Sequence, residues 1–164
     1  FLFSYLNTWS MKNNLERLIK QSVPFRSDYV KAEIGMMYLS SVLHHQSFQY
    51  FKKYHISPQQ YNILRILRGQ YPKSYNLNAI KERMLDKMSD VSRIIERLNK
   101  QNLVVKEANI IDKRNTDIYI SSKGLQLLKE IDMDSIGATS VLHRLSPEEV
   151  QLLNDLIDKQ LDLL

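Results

Sequence analysis

Leu77-Asn78-Ala79-Ile80-Lys81-Glu82-Arg83-Met84, a link of Leu85, Asp86 and Lys87, then Met88-Ser89-Asp90-Val91-Ser92-Arg93-Ile94-Ile95-Glu96-Arg97-Leu98-Asn99-Lys100-Gln101: the reading of this stretch decides the fold. In the second half Val91, Ile94, Ile95 and Leu98 fall at i, i+3, i+4 and i+7, a spacing that lays one apolar stripe along a helix. Ser89, Asp90, Ser92, Arg93, Glu96, Arg97 and Lys100 take the other side. Two helices joined by a tight turn, the second polar and basic outward, make a helix-turn-helix pattern, with helices over Leu77–Met84 and Met88–Gln101. Many surface helices share that polarity, so the pattern needs support from its flank.

The flank supplies it. Asn102 ends the second helix in the left-handed conformation that Asn tolerates better than most residues. Leu103-Val104-Val105 then reads as a strand, and Asp117-Ile118-Tyr119-Ile120 alternates with the period of its partner. Between them runs Asn109-Ile110-Ile111-Asp112-Lys113-Arg114-Asn115-Thr116, a loop whose polar tip presents Lys113 and Arg114. Helix, turn, helix and hairpin together predict a winged helix.

These residues resemble the MarR-type (multiple antibiotic resistance) transcriptional regulators. Asp112-Lys113-Arg114 followed by Ser121 and Lys123-Gly124 is similar to that family's D-x-R … L-T-x-K-G pattern, and Met88 to Leu98 resembles its recognition helix. The resemblance runs from about Asp28 to Leu164. Three positions depart from it. Lys81 stands where the family has a small Ala packed under the recognition helix, Ser121 replaces a Thr, and Asn102 replaces a Gly. The resemblance implies a mainly α fold with a small β-wing (α+β). Residues 57–120 would form the DNA-binding lobe and residues 28–54 and 125–164 the dimerisation helices, after an N-terminal extension over residues 1–27.

Composition agrees with one globular domain. The chain has 164 residues, 43% hydrophobic and 25% charged, with four Gly and four Pro. Without cysteine there are no disulfides, thiolate zinc sites or thiol redox sensors, which removes the peroxide-sensing branch of the resembling family. No apolar run approaches the roughly 20 residues that span a bilayer, so a cytoplasmic protein is expected. The net charge of +5 is unevenly spread: residues 1–124 carry 20 Lys and Arg against 10 Asp and Glu, residues 125–164 only 3 against 8. A basic body with an acidic tail suits a polyanion at one face; charge scattered for solubility is the alternative.

Along the rest of the chain, Phe1 to Ser10 packs six apolar or aromatic side chains ahead of a plausible start at Met11 and lacks the basic region of a signal peptide. It reads as an upstream extension without assigned function. A short helix is expected at Leu15–Ile19, and a long one from an N-cap at Asp28 to about Tyr54. Ser57-Pro58-Gln59-Gln60 is a capping box with Pro at the first helical position, opening a helix to about Arg68 that stops near Gly69. Ser121 or Ser122 caps a helix running toward Leu142, which Gly137 interrupts. Ser146-Pro147-Glu148-Glu149 repeats the capping logic before a last helix with Val150, Leu153, Ile157, Leu161 and Leu164 in a heptad-like stripe. Such a stripe suits a homodimer; an intrachain helical layer is the alternative.

The sequence therefore predicts a dimeric, sequence-specific binder of double-stranded DNA, a repressor released by an effector, with a pseudo-palindromic operator. Ser89 and Ser92 are short donors for phosphates or base edges, and Arg93 is suited to pair bidentately with guanine. Lys87 and Arg97 would touch phosphates, with Asp90 orienting Arg93. Lys113 and Arg114 would sit at the wing tip, Arg114 in the minor groove, with Asp112 holding the tip in shape as the resemblance implies. A solvated helix face and an exposed salt bridge are the bland readings of the same residues. The resemblance also implies an effector cavity, which Tyr38, His45, Phe48 and Tyr61 would line for a small aromatic or phenolic molecule; plain core is the alternative. His44, His45, His55 and His143 have no metal-ligand spacing, so neither metal nor cofactor is expected. No nucleophile elbow, P-loop or glycine-rich nucleotide turn occurs, so an enzyme is not expected. A winged-helix protein-interaction module without DNA binding is the remaining alternative.

Overall fold

The computed structural model describes residues 14–109, 115–134 and 141–162. The chain divides at His44 and His45 into two compact units. In the first lie α1 (Asn14–Leu18) and most of α2 (Asp28–Lys52). Ser27, not Asp28, closes the start of α2: its Oγ accepts the Val30 N–H at 3.3 Å. Asp28 becomes the first helical residue, where a carboxylate complements the positive end of the helix dipole. Lys31 donates to Glu16 at 2.7 Å, and that ammonium holds the Glu16 carboxyl below the usual carboxylate range.

The second unit carries the end of α2, then α3 (Pro58–Gln70), α4 (Leu77–Arg83) and α5 (Val91–Lys100). These are followed by β1 (Val104–Ala108), β2 (Thr116–Ile120), α6 (Ser122–Met133), a 3-10 turn at Val141–Arg144 and α7 (Pro147–Leu161). The predicted capping boxes form at Ser57 and Gln60 and at Ser146 and Glu149. Helix α3 continues through Gly69 to Gln70; a Cβ at Gly69 would meet open space, so this glycine marks no close approach. Ser121 is the cap of α6, its Oγ accepting the Gly124 N–H at 2.9 Å.

The core lies where α3, α4, α5, α6 and the hairpin meet. Ile63, Leu64, Leu67, Ile80, Leu98, Leu128 and Ile131 are wholly buried, and Val91 and Ile95 nearly so. The predicted stripe of the second helix is therefore its inward face. Helix α5 begins at Val91, three residues after the expected start, because Asp90 accepts the Arg93 backbone N–H at 3.1 Å and makes Asp90 the N-cap. Lys81 is exposed, whereas Ile80 and Met84 on the same segment are buried in the core.

Strands β1 and β2 pair antiparallel, from Val104 opposite Ile120 to Ala108 opposite Thr116. On the other edge of β2, Tyr75 makes a single bridge with Ile118, exchanging backbone bonds of 3.0 and 2.9 Å. A one-residue strand has no periodicity and is invisible in the sequence. Asn102 adopts φ 61, the left-handed turn expected of it, and carries the chain from α5 into the hairpin.

Helix α6 ends at Met133, earlier than expected. Asp134 closes it, its N–H bonded to the Glu130 and Ile131 carbonyls. The Asp134 carboxylate is held by Lys53 and by the hydroxyls of Tyr54, at 2.5 Å, and Tyr50, at 3.3 Å. Lys53 also sits 4.5 Å from the Tyr50 ring centre. Lys53 first, then Tyr54, keep the Asp134 carboxyl below its usual range, while burial raises both tyrosines. The expected bend at Gly137 and the terminal Leu164 lie outside the described residues, as does the aromatic segment at Phe1–Ser10.

Gly124 is required by close approach. A Cβ there would overlap the Leu103 carbonyl oxygen and lie 2.8 Å from Ile120 Cγ1. Gly124→Ala gains roughly 1 kcal/mol of helix propensity, but it must displace backbone at the root of the wing, at a cost of about 1–3 kcal/mol. The expected net result is a lower urea midpoint with an unchanged m-value. A midpoint equal to or above that of the native chain would show that the α6–hairpin junction is looser than the geometry indicates.

Candidate nucleic-acid interface

Helix α4 starts at Asn76, whose Oδ1 accepts the Ala79 N–H at 2.8 Å. The link to α5 is fixed from both sides. The Leu85 N–H donates to Asn62 Oδ1 at 3.0 Å. Asp86 accepts the Met88 N–H at 3.0 Å and the Ser89 hydroxyl at 2.8 Å. Lys87 Nζ reaches back to the Glu82 carbonyl at 2.6 Å. Short polar side chains thus hold the turn in one conformation, as Asp and Asn do by competing for nearby backbone donors.

From this turn α5 presents Ser92, Arg93, Glu96, Arg97 and Lys100, all exposed, while its other face is core. A groove of about 330 Å³ beside it is lined by Ser57, Gln59, Asp86, Ser89, Arg93 and Arg97, among others. The predicted residues Ser89, Asp90, Arg93 and Arg97 therefore share one concavity. Ser92 instead borders a second cavity, of about 210 Å³, with Leu77, Asn78 and the wing strands. Asp90 bonds the Arg93 main chain, so its role in this structure is to cap the helix.

Two contacts set the pose of α5. Gln60, itself buried, donates to Gln101 Oε1 at 2.9 Å, and Gln101 donates to the His55 carbonyl at 3.1 Å. That chain joins the start of α3 to the end of α5. On the wing side Lys106 of β1 pairs with Glu96 of α5. Sequence reading missed both, because the partners lie far apart in the chain and carry no local pattern.

At the wing base, Asp117 accepts Ser74 Oγ at 3.1 Å and Asn109 Nδ2 at 2.9 Å. The Asn109 N–H meets the Asn115 carbonyl at 3.1 Å, closing the described part of the loop. Asp112, Lys113 and Arg114 lie outside the described residues.

Of the residues expected around an effector, Tyr38 is an exposed side chain of the first unit, and His45 and Phe48 are exposed on α2. Tyr61 is half-buried. Its ring stacks on Phe51 at 4.3 Å and its hydroxyl accepts Arg65 Nη1 at 3.0 Å. Among the described residues no three His, Asp or Glu side chains form a group able to hold a metal ion. None of the described helices is long and apolar enough to cross a membrane.

A buried helix pair, an outward basic helix and a paired hairpin held against it define a winged helix-turn-helix protein. Comparison with known proteins narrows the class. The regulator MgrA of Staphylococcus aureus is 29% identical over 111 residues, covering 66% of this chain and 72% of MgrA. A MarR-like transcription regulator from Bacillus cereus superposes with TM-score 0.72 at 21% identity, over 84% of this chain and 98% of that one. The MepR protein of Staphylococcus aureus, solved as a DNA complex, gives TM-score 0.66 at 20% identity, over 86% and 100%. No family model matches the chain. In fold and in its sequence relatives the chain is similar to the MarR-type winged helix-turn-helix regulators.

Proposed function

We propose that the chain is a transcriptional regulator that binds double-stranded DNA sequence-specifically as a homodimer, acting as a repressor released by a small aromatic or phenolic effector. The observation that carries the reading is α5 itself: one face is sealed into the core while Ser92, Arg93, Arg97 and Lys100 stand exposed on the other. A rigidly seated helix with an outward basic face is what entry into a major groove requires. The likeness to MepR, solved bound to DNA, supports the same partner. Helix α7 supports the dimer, since none of its described side chains is buried and Leu152, Leu156, Ile157 and Leu161 are all exposed. Two copies related by a two-fold axis would read a pseudo-palindrome with half-sites about one helical turn apart. In this reading Lys113 and Arg114 contact the minor groove.

Fluorescence-anisotropy titration over a salt series tests the reading, using DNA from the gene's own upstream region and a scrambled duplex. Tighter binding to the first, with log K falling linearly as log salt rises, is expected from phosphate neutralisation. Arg114→Ala is expected to reduce that slope by about 1 for each protomer. Failure to bind any duplex at low salt would discard the DNA reading and favour the interaction module.

A further inference from the structure

We propose that Met88, with Leu85 beside it, reads the 5-methyl group of thymine at the edge of each half-site. The inference rests on the DNA-binding reading above and deepens it by assigning a specificity contact to residues that carry no charge. Leu85 is 88% exposed and Met88 94% exposed. They bracket Lys87 in the short link between α4 and α5. Single exposed apolar side chains are ordinary on protein surfaces. Here two large ones stand within four residues, on a turn that four hydrogen bonds hold in place.

Those bonds give the placement its meaning. The Leu85 N–H is tied to Asn62, and the Met88 N–H and Ser89 hydroxyl to Asp86. The backbone of the link is therefore fixed, and its apolar side chains project from a set position directly ahead of the N-terminus of α5. Arg93 and Arg97 follow on the exposed side of that helix, and Lys87 lies between the two apolar residues. In the DNA-binding reading, exposed Lys87, Arg93, Arg97 and Lys100 face the polyanion, interspersed with Asp86, Asp90 and Glu96. Base edges in the major groove of such a polyanion offer one apolar group, the thymine methyl, and the remaining groups are donors and acceptors. The polar side chains of α5 would take the donors and acceptors; Met88 would take the methyl. Its unbranched, polarisable side chain adapts to a methyl without demanding one geometry.

The test uses the full chain and the tightest-binding duplex that it selects from a randomised pool. Each thymine of a half-site is replaced in turn by deoxyuridine, which deletes the methyl and keeps the base pair. At one position the native chain is expected to lose about fourfold in affinity, and about fifteenfold when both half-sites are changed, the worth of one buried methyl each. Met88→Ala is expected to bind the thymine duplex more weakly by a similar factor and to ignore the same replacement, while Met88→Leu keeps the discrimination. Equal binding of thymine and uracil duplexes by the native chain at every position would overturn the inference and leave DNA binding intact. So would a Met88→Ala chain that remains as sensitive as the native one. A native chain that binds no member of the pool would overturn the DNA reading, and this inference with it.

Discussion

Leu98→Ala is expected to lower the unfolding free energy by about 2–5 kcal/mol, the range for removing a fully buried leucine side chain. Leu98 has no exposed surface and lies in the same core cluster as Leu64, Ile80, Ile95 and Leu103. It is the last residue of the α5 stripe, one turn before Asn102 redirects the chain into the hairpin, and its carbonyl accepts the Leu103 N–H at 3.0 Å. The cavity would therefore open where α5 joins the wing root. Urea denaturation followed by circular dichroism measures the effect. A loss below about 1 kcal/mol would mean that the junction collapses around the vacancy. It would then contradict the picture of a helix seated rigidly by its inward face.

Arg93→Ala carries the largest expected effect on binding. Arg93 is exposed, its backbone is fixed by the Asp90 cap, and its side chain borders the groove beside α5. A bidentate pair with guanine is worth roughly 1–3 kcal/mol of discrimination, so the affinity for a selected duplex should fall about ten- to hundredfold. Binding to scrambled DNA should change far less, and the fold should be unaffected because the side chain is solvated. Arg97→Ala provides the contrast. As a phosphate contact it should weaken binding to both duplexes alike and reduce the salt slope. If Arg93→Ala weakened both duplexes equally, Arg93 would be a phosphate contact and base reading would rest with other residues. Unchanged affinity for both would remove Arg93 from the interface.

Most of the winged helix was legible in the chain because its elements are locally coded. The i, i+3, i+4, i+7 stripe of Val91 to Leu98 forces a helix with one buried face, and that face is the one buried. The two Ser-Pro capping boxes work through side chains three residues apart and form as expected. Asn102 turns left-handed because its short polar side chain tolerates a conformation that other non-glycine residues avoid. Boundaries were less legible. Met88 and Ser89 have helical polarity, but Asp86 and Asp90 compete for the nearby backbone donors and delay the helix to Val91. Likewise α6 ends early at Asp134, which Lys53, Tyr50 and Tyr54 hold from 80 to 84 residues away in the chain.

Amino-acid order by itself determined the helix-turn-helix, the hairpin after it and the basic outward face, since each follows from spacing within one or two turns or strands. Tertiary structure alone decided the rest. It placed Tyr75 on the free edge of β2, joined Gln60 to Gln101, paired Glu96 with Lys106, and made Gly124 obligatory beneath the Leu103 carbonyl. It also showed that Leu85 and Met88 stay outside the core although their side chains are apolar. Local patterns report what a segment prefers, whereas burial and pairing depend on what distant segments bring to the same place.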